Sequence, residues 1–282
     1  MKKLYYDQFG KHLRIGNMLY SYAFLLKYAK KFNRELILPD YYLWKYLKNP
    51  PKIGNIEGSL TFHFRHDGLD LDYVDQFFTE NADKDIIVNL NPYTQSEEWF
   101  LDYKDYILQM LEFKGEEIQK VKNQYSDILN KPTIGISIRL GTDFTHNDGF
   151  YHVPNNWYID VLDQNFLNWR NDYSVIIFSD NIAEAKTIFR NYPFNYAEQN
   201  KTHVLIYDSE HFHSEKAMNH LILMSLMDNM LISNSTFSWW GSYLAQNNKK
   251  GDVYCTGKNF ANKYYQDSKN NDTFYPKSWK IV

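Results

Sequence analysis

From Lys131 onward, short β-branched runs alternate with stretches whose apolar residues recur at helical spacing. This alternation predicts βαβ units around a parallel sheet. The expected strands are Thr133-Ile-Gly-Ile-Ser-Ile138, Ser174-Val-Ile-Ile-Phe178, His203-Val-Leu-Ile-Tyr207 and Met230-Leu-Ile-Ser233. Between them, Tyr158, Val161, Leu162 and Phe166 make one apolar helix stripe, and Ala217 to Met227 is apolar enough for a buried helix. This half is therefore expected to be a doubly wound α/β lobe.

The first half is less regular. Asn17 to Phe32 reads as a helix, with Leu19, Tyr22, Ala23, Leu26 and Ala29 on one face and Lys27, Lys30 and Lys31 mostly off it. Glu35-Leu-Ile-Leu38 reads as a strand. From about Asn49 to Asp85, Pro, Gly, Asp and aromatics mix without steady period, which predicts loops and short strands only. The Lys- and Asn-rich stretch from Asn123 to Pro132 suggests a link between two domains, 1–128 and 129–282, with a cleft between them.

Composition narrows the function. The chain has 282 residues and is 44% hydrophobic, enough to bury a core, while a net charge of -3 argues against a general nucleic-acid binder. The single cysteine, Cys255, excludes an internal disulfide and a Cys-rich zinc cluster, and fits a reducing compartment. Met1-Lys2-Lys3 leads into no signal-like apolar stretch, and the apolar run Leu221 to Met227 is far too short to span a bilayer. A cytoplasmic protein, at most peripheral at a membrane, is the expectation. Abundant Tyr, Phe and Trp offer faces for sugar rings, although codon bias would give the same composition.

In an open parallel sheet, ligands bind beyond the carboxyl ends of the strands. The residues there are polar: Arg139-Leu140-Gly141-Thr142-Asp143, Ser179-Asp180-Asn181, Asp208-Ser209-Glu210 and Asn234-Ser235-Thr236. The last group opens a helix from Phe237, whose free amides favour an anion. The alternative is that Ser235 or Thr236 caps the helix, with Trp240, Tyr243 and Leu244 as its core face. Arg139, followed by Gly141, has the fork to grip a diphosphate; the alternative is an ion pair with an acid such as Asp143. Asn181 with Glu184 has capping spacing. Asp70-Leu71-Asp72 and Asp83-Lys84-Asp85 match an acidic metal-binding triplet, but solvated loops are the expected reading, and no metal or other cofactor is expected. No Gly-x-x-x-x-Gly-Lys loop, His-Glu-x-x-His or Gly-x-Ser-x-Gly occurs, which speaks against a kinase, zinc protease or serine hydrolase.

Four segments, in order, resemble the α-1,2-fucosyltransferases of glycosyltransferase family 11. They are Leu13-Arg-Ile-Gly-Asn-Met-Leu-Tyr-Ser-Tyr-Ala23, Tyr93-Thr-Gln-Ser-Glu-Glu-Trp-Phe100, Ser137-Ile-Arg-Leu-Gly-Thr-Asp-Phe144, and Leu223-Met-Ser225 through Asn234-Ser-Thr-Phe-Ser-Trp-Trp-Gly241. The chain departs from the family pattern at Ser137 (usually His), at Leu140 (usually Arg) and at Thr142, giving an Arg-x-Gly-x-Asp that also resembles protein O-fucosyltransferases. His220 stands where the family has an Asp before Leu-Met-Ser, with Glu215 the nearest upstream acid.

The resemblance implies a GT-B fold of two Rossmann-like lobes, GDP-fucose as donor, a galactose-terminated glycan as acceptor and inversion at the anomeric carbon. It implies donor contacts from Arg139, Gly141, Ser179, Asp180, Glu215, His220, Asn234, Ser235, Thr236, Phe237 and Ser238. Asn17 is expected to meet the acceptor or the transferred sugar, or else to cap its helix; Asp143 is the candidate base, with Asp180 beside it. A same-fold transferase using another donor, and a carbohydrate-binding protein without catalysis, stay open.

Overall fold

The computed structural model describes residues 1–11, 14–56, 60–63, 70–89, 94–197, 215–261 and 273–282; the side chains of Asp143, Glu215 and Lys216 are outside the described set. The chain divides into two compact units, Met1–Lys114 with Ser268–Pro276, and Gly115–Asp267 with Lys277–Val282.

The first unit is a parallel sheet of β1 (Lys2–Tyr5), β2 (Arg34–Leu38), β3 (Lys52–Ile53), β4 (Leu60–His63) and β5 (Ile86–Asn89), in the order β3-β2-β1-β5-β4. Its helices are α1 (Ile15–Lys31), α2 (Leu71–Glu80) and α3 (Lys104–Met110). The expected α1 face is buried, and Lys30 and Lys31 are exposed. Lys27 departs from expectation: it is 2% exposed, and its Nζ sits 2.9 Å from Asp102 Oδ1, because the apolar face of α1 wraps most of the helix. A buried ammonium is tolerated only when paired in this way. Asp70 caps α2, its Oδ1 accepting from Tyr73 N at 2.9 Å, and Asp85 Oδ1 accepts from Lys3 N at 2.9 Å, so both acidic triplets have structural work.

The second unit contains α4 (Gly115–Gln124), β6 (Thr133–Ile138), α5 (Thr142–Thr145), α6 (Asn155–Asn165), α7 (Trp169–Asp172), β7 (Ser174–Ser179), α8 (Ile182–Ile188), β8 (Asn195–Tyr196), α9 (Glu215–Ser225), β9 (Asn229–Ile232), α10 (Thr236–Lys249), β10 (Val253–Cys255) and β11 (Lys280–Ile281). Among the described residues the named strands all pair in parallel, in the order β11-β10-β9-β6-β7-β8. Read from the β8 edge, this is the 3-2-1-4-5-6 order of a doubly wound sheet, with the switch point between β6 and β9. Alternate β6 residues serve opposite faces. Ile134, Ile136 and Ile138 pack with Tyr158 and Leu162 of α6 and Ala185 of α8. On the other face Gly135 lies against Met227 and Met230, and Ser137 meets Ser238 of α10.

The division proposed at 128/129 lies inside this unit, because α4 packs on α9. The strand expected at His203–Tyr207, and Asp208-Ser209-Glu210 after it, lie outside the described residues. The aromatic richness is largely core: Trp99, Trp169, Trp239 and Trp240 are each fully buried.

Candidate functional site

The parallel order sends β6 and β9 out of the sheet side by side at the switch point, each into a turn and then a helix. Ile138 of β6 is in register with Ser179 of β7, so the residues just past them, Arg139 and Asp180, leave the sheet as neighbours. Asp180 Oδ2 lies 3.1 Å from Arg139 Nη1. Its Oδ1 accepts from Leu140 N at 2.7 Å and Gly141 N at 3.0 Å. The ion pair considered for Arg139 thus exists, with Asp180. The guanidinium also lies 5.5 Å from the centre of the Phe144 ring. Phe144 stacks on Phe150 at 5.2 Å, and Phe150 on Phe260 at 5.8 Å.

Across the switch point, Ser235 occupies the N-cap of α10 in an extended conformation, and its hydroxyl makes no capping bond. Backbone bonds shape the entry to the helix: Ser235 N donates to Ser233 O at 2.9 Å, and Trp239 N makes the first intrahelical bond to Ser235 O at 2.8 Å. Ser235, Thr236 and Phe237 are all partly exposed at a helix end with unsatisfied amides. Asn234 is buried; its Nδ2 donates to Asn259 O, and its Oδ1 has no hydrogen-bond partner among the described residues. Trp240, Tyr243 and Leu244 are buried, as the core-face reading expects.

Other expected residues are engaged in the framework. Ser238 Oγ is 2.6 Å from Ser137 Oγ, both buried, so this pair ties α10 to β6 where a ligand contact was expected of Ser238. Ser179 Oγ accepts from Asn181 N at 3.0 Å, and Asn181 Oδ1 caps α8 through Glu184 N at 3.2 Å. His220, on α9, is 4% exposed with its ring edge-on to Phe178 at 6.1 Å. The side chains of Asp143 and Glu215 are outside the described set. Asn17 belongs to the first unit. It is the third residue of α1, where Arg14 holds the N-cap position, and its Oδ1 accepts from Gln95 Nε2 at 3.0 Å. That bond joins two of the segments on which the resemblance rests.

A cavity of about 280 Å³ opens beside Arg139, lined also by Phe144, His152, Val153, Tyr158 and Ser233. His152 Nε2 donates to Phe144 O at 3.1 Å, which ties its loop to α5. Burial holds the Tyr158 hydroxyl far above the ordinary phenol range, so it stays neutral. Sequence reading missed His152, Phe150, Asn259 and Phe260, because nothing local in a loop signals that it folds over the end of a distant strand. Among the described residues no cluster of three or more His, Cys, Asp or Glu has metal-binding arrangement, and no helix is long and apolar enough to cross a membrane.

The model of glycosyl transferase family 11 matches residues 85–282. The O-antigen biosynthesis glycosyltransferase WbnK of Escherichia coli is 27% identical over 149 residues, which are 50% of this chain and 45% of that protein. The chain thus matches less than half the length of this relative. Among solved structures, the fucosyltransferase NodZ from Bradyrhizobium aligns with a TM-score of 0.53 at 13% identity, covering 86% of this chain and 92% of that one. Arabidopsis thaliana FUT1 aligns with a TM-score of 0.57 at 16% identity, covering 90% and 70%. The fold is therefore of the GT-B type, as expected.

Proposed function

The chain belongs to glycosyl transferase family 11, and from that premise we propose that it transfers fucose from GDP-fucose to a hydroxyl of a glycan acceptor, without a metal ion. The observation that carries this reading is the convergence, at one switch point, of a braced arginine with the open N-terminus of α10. Both favour an anion, and a diphosphate is the anion that a sugar nucleotide brings to a doubly wound sheet. NodZ has been studied soaked with GDP-fucose and FUT1 in complex with GDP, and both share this fold.

In the proposed mechanism the acceptor hydroxyl displaces GDP directly, with inversion, through an oxocarbenium-like transition state. Negative charge grows on the leaving diphosphate. Arg139, the Ser235 and Thr236 hydroxyls and the first amides of α10 stabilise that charge where it develops; one such donor is worth about 3–4 kcal/mol in comparable sites. Asp180 spends both carboxylate oxygens on the chain's own donors, so the role of base falls to Asp143. Asn17, oriented by Gln95, is assigned to the sugar or acceptor side. An α-1,2 linkage to a galactose-terminated surface polysaccharide, made on the cytoplasmic side, completes the reading; the relative named for O-antigen biosynthesis supports that setting.

A second reading rests on His220. Its imidazole stands where the family carries an acid, and this favours a same-fold transferase with a different nucleotide. Calorimetric titration with GDP and UDP in EDTA, on wild type and Arg139→Ala, decides between them. GDP binding is expected to survive chelation and to weaken in the mutant by about 1.5–3 kcal/mol, the value of a hydrogen bond to a charged group. Binding of UDP alone would assign another donor. Binding of neither would remove the donor site.

A further inference from the structure

We propose that Asp180 is a positioning residue: by bonding the Leu140 and Gly141 amides and the Arg139 guanidinium, it fixes that guanidinium in the arrangement that receives the diphosphate, and acts on the reaction only through it. The proposal rests on the donor-site reading above. Three donors from one turn converge on this single carboxylate: Leu140 N and Gly141 N on Oδ1, and Arg139 Nη1 on Oδ2. The Asp180 side chain is 16% exposed and that of Arg139 18%, so water competes little for either. The strand register makes the convergence possible, since Ile138 and Ser179 are paired and each following residue begins at the same height on the sheet edge.

An arginine side chain has many rotamers, and a ligand that must order it loses affinity by that entropy. Asp180 holds one guanidinium nitrogen while Phe144 covers the face, so the orientation exists before the ligand arrives. The same carboxylate takes up two amides of the turn that carries the arginine, which would otherwise be left to rearrange. Both of its oxygens face the chain's own donors, and this distinguishes a brace from a base that faces the acceptor.

The test uses GDP as probe with Asp180→Asn, Asp180→Ala, Arg139→Ala and the double variants, together with the pH profile of GDP-fucose turnover. Asp180→Asn, nearly isosteric, is expected to weaken GDP binding about tenfold, the effect of losing one charge-assisted contact. Added to Arg139→Ala it is expected to bring little further loss, because the two act as one unit. The pH profile should keep its shape. Full additivity of the two losses, or disappearance of the acidic limb in Asp180→Asn, would overturn the proposal. Amide exchange in the ligand-free protein supplies a readout independent of the donor. Leu140 and Gly141 should exchange faster in Asp180→Ala and near the wild-type rate in Asp180→Asn; unchanged protection in Asp180→Ala overturns the brace. Wild-type protein that ignores GDP would refute the donor reading instead, and amide exchange would still decide for or against the brace.

Discussion

Cys255 ends β10 with no exposed surface, and burial pushes its thiol up to about 12. The thiolate is the reactive form, so native protein at pH 8 should resist a thiol reagent and take up one equivalent only on unfolding. The sign for stability follows from the raised value. Below the ordinary thiol range both states hold the proton; as pH climbs from there toward 12 the unfolded chain releases it first and stability falls. Rapid labelling of native protein would contradict the burial. Gly251 is a second single-residue constraint. A methyl group there would overlap the backbone carbonyl of Asp228, and no side-chain rotation relieves it. Gly251→Ala is expected to cost about 1–3 kcal/mol by denaturant titration, as overpacking does. At the site, Arg139 was legible because an arginine followed by Gly141 at the end of an apolar strand is an unusual placement. Its partner was not. The nearest acid in sequence is Asp143, whereas Asp180 comes from the neighbouring strand, and strand register is a property of the sheet that no local pattern encodes.

Among the elements, those with a long buried run were readable. β6, β7 and β9 are apolar because helices cover both faces of the sheet, and the stripe of α6 repeats at helical spacing because only one of its faces packs. β3, β8 and β11 have two residues each, too few for any period to show, and β10 has three. The stretch from Asn49 to Asp85, whose pattern predicts loops and short strands, contains α2, whose one local signal is its cap: Asp70 bonded to the amide three residues on. The Asn181 cap of α8 was recognised by the same spacing. Asn181→Ala is expected to cost about 1 kcal/mol while leaving GDP binding within twofold, since its side chain serves Glu184 N and not the Arg139 turn. A large loss of GDP affinity with unchanged melting temperature would instead make Asn181 a ligand contact.

For the whole molecule, the parallel sheet of the second half is legible in its alternating strands and helices, that of the first half follows only from the family resemblance, and the path of the last ten residues is not legible at all. Composition places 129–282 on one side of a boundary, and the tail serves both units. Phe274 and Tyr275 are buried in the first unit, where Ser96 Oγ donates to Thr273 O at 2.8 Å. Trp279 is buried in the second, 5.5 Å from the Trp239 ring, with its Nε1 donating to Gln246 Oε1 at 3.1 Å. A tail whose aromatic anchors fall in different cores links the stability of both to one short segment. Truncating a buried aromatic costs about 3–5 kcal/mol, and here the cost should fall on the unit that holds it. Phe274→Ala is expected to raise hydrogen exchange first in the first unit, and Trp279→Ala first in α10 of the second. Deleting residues 273–282 should do both at once. If Phe274→Ala and Trp279→Ala loosen the same set of amides to the same extent, the two cores unfold as a single cooperative body and the division of the tail has no energetic meaning.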